Sequence, residues 1–151
     1  MSRGIPIAVV AADCVPVLLV DPSVHICAAV HAGWQGTLDG IVTNVVDRMV
    51  ESGARLDAIV ACIGPHIGAC CYDVPEERAK KFLNKFDPED KIAMLQNDGR
   101  WHLDIGWVNY RQLRDRGVVA HHIDAPPICT SCQNDSFFSY RKDTKDTYGE
   151  I

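Results

Sequence analysis

Two residue types placed for chemistry stand out in this chain. Cys14 ends the apolar run "IPIAVVAADC", and His31 ends the run "HICAAVH". A thiol and an imidazole brought together support two chemistries: a Cys–His nucleophile pair, or a zinc site with thiolate and imidazole ligands. Spacing alone does not separate them. Asp13 directly precedes Cys14, and a charged residue beside an apolar run marks a strand emerging into a site. His31 is followed by "AGWQG", whose glycines permit a tight turn and close backbone approach to a ligand. That loop feeds a helix start, where free N–H groups favour an anion such as phosphate.

Other chemistry-bearing residues are more scattered. Arg141, in "FFSYRK", carries a guanidinium suited to phosphate or substrate oxygens. Gly64 turns the chain in "IGP", and His66 in the same loop is a second imidazole able to face a site. Gly33, Trp34, Gln35, Gly64 and Arg141 are therefore the candidate substrate contacts, and Cys14 and His31 the candidate catalytic and metal-binding pair. Cys129-Thr-Ser-Cys132 is a C-x-x-C without a second pair at zinc-ribbon spacing, which argues against an independent metal or redox role. Cys70 and Cys71 read as packing residues near the "IGP" loop. His121–His122 and Trp101–His102 read as surface or packing residues.

The elements that must position these residues follow from periodicity. "IPIAVV" (5–10), "VPVLLV" (15–20) and "HICAAV" (25–30) are short runs rich in β-branched residues and predict buried strands, the first ones antiparallel and hairpin-connected. From Leu38 to Val50 the apolar spacing becomes helical, with Thr37 as N-cap and Gly53 as C-cap. "LDAIVACIGP" predicts another strand. A helix follows from Pro75, with Ala79, Phe82, Leu83 and Phe86 inward, and "DPEDKIAMLQNDGRW" predicts a surface excursion. Asp104 caps a helix that Gly117 ends, and "VVAHHI" and "FFSYRK" predict closing strands. Strands and helices in mixed order indicate an α/β or α+β layered domain.

Composition bounds the function. The chain has 151 residues, 47% hydrophobic and 23% charged, enough for one globular domain with a real core. Its formal charge of -5 and pI near 5.6 give no basic footprint for nucleic acid. No apolar run is long enough to span a bilayer. Seven cysteines, an odd number with two adjacent, make a poor disulfide framework. No signal-peptide core is present, so a reducing, cytoplasmic setting is expected.

Four segments occur in order: "ADCVPVLL", "VHAGWQGT", "IGPHIGACCYDV" and "CTSCQNDSFFSYRKD". Together they resemble the YfiH-like, laccase-domain family, also described as polyphenol oxidases and purine nucleoside phosphorylases. The resemblance runs from about residue 5 to the end. It implies an α/β mixed layered sandwich of the CNF toxin/YfiH-like type, that of the cytotoxic necrotizing factor deamidases. It also implies a zinc site of one cysteine and two histidines, phosphorolysis of adenosine, inosine and methylthioadenosine, and some adenosine deamination. Purine nucleoside and phosphate are then the partners, with no nucleic acid or membrane.

Carried over by position, Cys14 and His31 match two zinc ligands. The third, a histidine in a Q-x-H-like segment upstream of "ADC", has no counterpart, and "TYGEI" ends inside an expected closing strand. Residues 1–151 are thus expected to form one domain lacking its N-terminal portion and final strand, and to hold zinc weakly. Gln35 stands where the family often has Arg or Lys. A metal-free Cys–His hydrolase or deamidase and a non-catalytic fragment are the alternatives. A copper oxidase is weaker, because the six histidines lack H-x-H spacing.

Overall fold

In the computed structural model the described residues are 4–87, 92–96 and 98–143. The central strands are β1 (Val15–Asp21), β2 (Ile26–Ala32), β3 (Val60–Ile63) and β7 (Ile123–Asp124), in the sheet order β2-β1-β3-β7. β1 is antiparallel to both β2 and β3, and β7 runs parallel to β3. A second, antiparallel sheet orders β4 (Asp73–Val74), β6 (Trp101–Leu103) and β5 (Ala93–Leu95) as β4-β6-β5. The mixed α/β architecture expected from the sequence is present.

β1 alternates as a half-buried strand should. Val15, Val17 and Leu19 are buried while Leu18 and Val20 are exposed, so this strand is buried on one face rather than both. The buried face packs in one core with Val42 and Val46 from helix α2 (Ile41–Glu51) and Val108 and Leu113 from α4 (Ile105–Arg116). The hairpin turn is locked by Asp21, whose carboxylate accepts from Ser23 N–H at 2.8 Å and Arg55 N–H at 2.8 Å.

The helix expected from Leu38 is two helices. α1 (Trp34–Asp39) ends at Gly40, which takes a left-handed φ of 79° and then caps α2. Glycine adopts that conformation at little cost, so the chain turns there and re-enters helix. Thr37 is accordingly no cap. It is buried inside α1, where its hydroxyl accepts from the Asn109 amide at 2.9 Å. α3 (Glu76–Leu83) starts after Pro75 and buries Ala79 and Phe82. α4 is capped by Asp104, which accepts from Trp107 N–H at 2.8 Å, and it ends at left-handed Gly117.

Three expectations fail for identifiable reasons. Residues 5–10 form no strand, and Ile5, Ile7 and Val10 are exposed. Both edges of β1 are already taken by β2 and β3, and Pro6 has no N–H to offer a ladder. "FFSYRK" winds through turns, since Phe137 and Lys142 direct their N–H groups to Gln133 and Ser139 nearby. "VVAHHI" forms a short 3-10 turn over Ala120–His122 before β7.

The polar excursion instead carries β5 and β6. Gln96 N–H bonds Arg100 C=O at 2.8 Å, and Gly99 turns the chain at φ 77°. Asp98 and Gly99 thus lie in the hairpin connection between β5 and β6. Residues 88–91 and 97 of that excursion, and the expected closing strand within 144–151, lie outside the described residues. No described helix is long and apolar enough to cross a membrane.

Candidate active site

The β1–β2 hairpin brings the two chemical residues together. Val15 pairs with Ala32 and Pro16 with His31, so Cys14 and His31 sit at the same end of the hairpin. Both line a cavity of about 470 Å³ that also receives Trp34 from the start of α1. The His31 Nδ1 lies 2.9 Å from the Val10 carbonyl. A carbonyl only accepts, so Nδ1 is the donor, and in the neutral imidazole Nε2 is the nitrogen left with a lone pair. Burial, and then the neighbouring Asp13 carboxylate, push the Cys14 thiol above its ordinary pKa.

Asp13 holds the cavity's back wall. It is buried, with a left-handed φ of 76° that is uncommon for a residue with a Cβ. Three bonds over-determine that conformation. Its carbonyl accepts from Ile67 N–H at 2.9 Å, and its carboxylate from the Thr130 hydroxyl at 2.7 Å and Arg141 N–H at 2.7 Å.

Two guanidinium groups face the cavity. Arg78, from the first half of α3, lies 4.4 Å over the Trp34 ring and donates to the Tyr72 hydroxyl at 3.3 Å. Arg141 lies 5.3 Å over the Tyr72 ring and is anchored by the Asp73 carboxylate and, at 2.9 Å, the Asp73 carbonyl. Burial raises the Tyr72 hydroxyl's pKa against the pull of both arginines, so it stays a neutral phenol. Ile67 and Ile105 supply apolar walls, and Tyr140 a third aromatic ring. A thiol, an imidazole, two cations and aromatic faces therefore converge on one space.

Of the residues expected from sequence, Cys14, His31, Trp34 and Arg141 line this cavity. Gly33 backs directly onto it, because a Cβ there would lie 3.3 Å from the Cys14 sulfur. Gln35 is exposed on α1 and is not among the lining residues. Gly64 packs on Pro16 instead, donating its N–H to the Pro16 carbonyl at 2.8 Å. His66 is likewise turned away: its Nδ1 bonds Gly64 C=O at 2.8 Å and its ring lies against Gly106 of α4. Helix α1 has only six residues, so little dipole is available for an anion and the arginines supply the positive charge. Arg78 and Tyr72 were not singled out from sequence. Arg78 sits in "EERAKK", which looks like a solvated helix face.

The other cysteines of the two motifs form a second cluster. Cys70, Cys71, Cys129 and Cys132 come together with all four sulfur atoms within 4.8 Å of one another. At Cys129 burial alone would raise the pKa, but N–H groups of Gly68 and Cys132 and the neighbouring thiols bring it down to about 7. Burial and its thiol neighbours push Cys70 upward. No comparable three-donor group includes Cys14 and His31 among the described residues.

Over residues 1–151 the sequence matches the family described as "Multi-copper polyphenol oxidoreductase laccase". It is 34% identical over 150 residues to a human protein named purine nucleoside phosphorylase LACC1, covering 94% of this chain and 34% of that one. It is 38% identical over 141 residues to adenosine deaminase RL5 from an unknown prokaryotic organism, covering 93% of this chain and 54% of that one. The crystal structure of Bacillus licheniformis YfiH superposes with a TM-score of 0.80 at 37% identity, covering 87% of this chain and 50% of that one. YlmD from Geobacillus stearothermophilus gives 0.79 at 35% identity, with the same coverages of 87% and 50%. The chain thus spans 34% of the human relative and about half of the prokaryotic ones.

Proposed function

Because the chain belongs to the multi-copper polyphenol oxidoreductase laccase family, alongside relatives named purine nucleoside phosphorylase, we propose that it cleaves purine nucleosides with inorganic phosphate. The observation that carries this reading is one cavity holding Cys14 and His31 beside the guanidinium groups of Arg78 and Arg141. Neither a simple hydrolytic pair nor a packing defect calls for two arginines there. A substrate pair made of a planar base and a phosphate does.

In this reading the arginines hold phosphate through charge-assisted hydrogen bonds. Trp34, Tyr72 and Tyr140 offer aromatic surface to the purine, and Ile67 and Ile105 keep water from its flat face. A phosphate oxygen attacks the ribosyl C1′, and the C1′–N9 bond breaks with its electron pair leaving on the base. The products are ribose 1-phosphate and the free purine after protonation. Deamination of adenosine is the side reaction, in which water adds at C6 and ammonia leaves. It is supported by the relative named adenosine deaminase.

Cys14 and His31 are donors of the types zinc takes, and the Nδ1 bond to Val10 fixes the His31 tautomer that leaves Nε2 available. They fit as two of the three protein ligands that a catalytic zinc usually takes. Bound there, zinc supplies Lewis-acid polarisation of an oxygen on phosphate or water. A reducing, cytoplasmic setting accompanies this reading, in keeping with seven cysteines that are all unpaired.

The test incubates the full-length polypeptide with adenosine, inosine or methylthioadenosine, with and without phosphate, and resolves products by chromatography. Phosphate-dependent release of free base with an equal amount of the sugar 1-phosphate (ribose 1-phosphate, or 5-methylthioribose 1-phosphate from methylthioadenosine) supports the proposal. Inosine and ammonia from adenosine without phosphate identify deamination alone, and no turnover of any nucleoside overturns it.

A further inference from the structure

The four-cysteine cluster lies outside the machinery just described, and its construction is specific. Cys70 and Cys71 sit in the turn that follows Gly68, where Cys71 and Tyr72 both send their N–H groups to the Gly68 carbonyl, at 3.0 and 3.1 Å. Turn geometry lets neighbouring side chains face one side, which a strand would forbid. Cys129 and Cys132 come from the loop "CTSC", laid alongside by a parallel bridge between His66 and Cys129. Gly68 leaves little room for a side chain, because a Cβ would lie 3.3 Å from both the Cys129 Cβ and the Cys70 sulfur. Its N–H donates to the Cys129 sulfur at 3.2 Å. An N–H aimed at sulfur is the outer-shell contact that stabilises a thiolate ligand.

Distances favour an ion over a bond between two of the sulfurs. Cys132 Sγ lies 3.5 Å from Cys70 Sγ and 3.4 Å from Cys71 Sγ. A tetrahedral ion with zinc–sulfur bonds of about 2.3 Å places its ligands about 3.8 Å apart. All four sulfurs are mutually within 4.8 Å, close enough for a single ion to reach all of them.

We propose that Cys70, Cys71, Cys129 and Cys132 form a structural tetrathiolate zinc site, separate from Cys14 and His31 and independent of the nucleoside reading. Four sulfur ligands close a tetrahedral site and leave no open position for substrate. Binding involves no change of oxidation state: the ligating thiols lose their protons to solvent as zinc–sulfur bonds form. The ion joins two loops that share little regular hydrogen bonding. Thr130, between two ligands, bonds the Asp13 carboxylate at 2.7 Å, so the site also steadies the residue before Cys14.

The test uses zinc(II) as the probe in the full-length polypeptide carrying Cys14→Ala and His31→Ala, which empties the other candidate site. After chelation, reconstitution and gel filtration, elemental analysis should find one zinc per chain. Adding Cys129→Ser and Cys132→Ser should remove it. Should that variant fail to fold, cobalt(II) substitution of the parent decides, since a tetrathiolate site gives the intense visible bands of tetrahedral cobalt with sulfur ligands. A mercurial thiol reagent should then release the metal in proportion to cysteines modified. No retained metal, the same zinc content after the serine substitutions, or disulfides among these cysteines in reduced preparations would overturn the proposal.

Discussion

The hydroxyl of Thr130 donates to the buried carboxylate of Asp13 at 2.7 Å, joining residues 117 positions apart. This bond fastens the "CTSC" loop to the strained residue that presents Cys14. Replacing Thr130 by Val keeps the shape but leaves one Asp13 oxygen short of a partner in a buried setting. Such a loss costs about 1–3 kcal/mol. Urea denaturation should show it, and Thr130→Ser should recover most of it. An unchanged midpoint in the valine variant would mean that the bond contributes nothing to holding Asp13.

Gly106 in α4 tests the placement of His66. A Cβ at Gly106 would lie 2.0 Å from His66 Nε2, closer than any real contact. Gly106→Ala gains up to about 1 kcal/mol in helix propensity, but overpacking costs about 1–3 kcal/mol. Overpacking should win, so the thermal midpoint should fall. In a His66→Ala background the same substitution should be neutral or stabilising. A stabilising Gly106→Ala in the wild-type background would place His66 elsewhere.

These two contacts also show where sequence reading reaches its limit. The hairpin of β1 and β2 is short and strongly patterned, so the convergence of Cys14 and His31 could be read directly. Asp104 and Gly117 bound α4 by local capping chemistry, and both were legible. Gly40 was missed because an apolar stripe continues on both sides of the break. Arg78 and the cysteine cluster depend on tertiary approach. Nothing in "CC" or "CTSC" alone shows that a bridge between His66 and Cys129 will bring them together.

Arg78 should act on phosphate. Among the described residues no carboxylate pairs with it, and its guanidinium is held over Trp34 at 4.4 Å. A hydrogen bond to a charged group is worth about 1.5–3 kcal/mol. Arg78→Met should therefore raise KM for phosphate by roughly 10- to 100-fold while leaving the thermal midpoint nearly unchanged. Arg78→Lys should recover part of the loss. An unaltered phosphate KM in the methionine variant would remove Arg78 from the substrate site.

Asp21 should shape the acid limb of stability. The Arg55 N–H, the largest influence, and then the Ser23 hydroxyl hold its carboxyl below the ordinary carboxylate range. A folded-state pKa below the unfolded one gives stability that is present above the unfolded value. It is lost as pH falls through the folded value. Asp21→Asn should thus lower the thermal midpoint at neutral pH, with the gap to wild type closing as pH drops below the ordinary carboxylate range. A gap that is constant with pH would show that the ionised form plays no part.

The most direct test of the account is the turnover of adenosine and phosphate by the full-length polypeptide in wild-type, Cys14→Ala and His31→Ala forms. Both residues sit at the open end of the hairpin, His31 exposed and Cys14 half-buried, so neither loss should unfold the chain. Wild type should release adenine and ribose 1-phosphate in equal amounts, and each variant should lose at least about 100-fold, or ~3 kcal/mol, in kcat/KM with its thermal midpoint kept. Near-normal phosphorolysis in either variant would contradict the account.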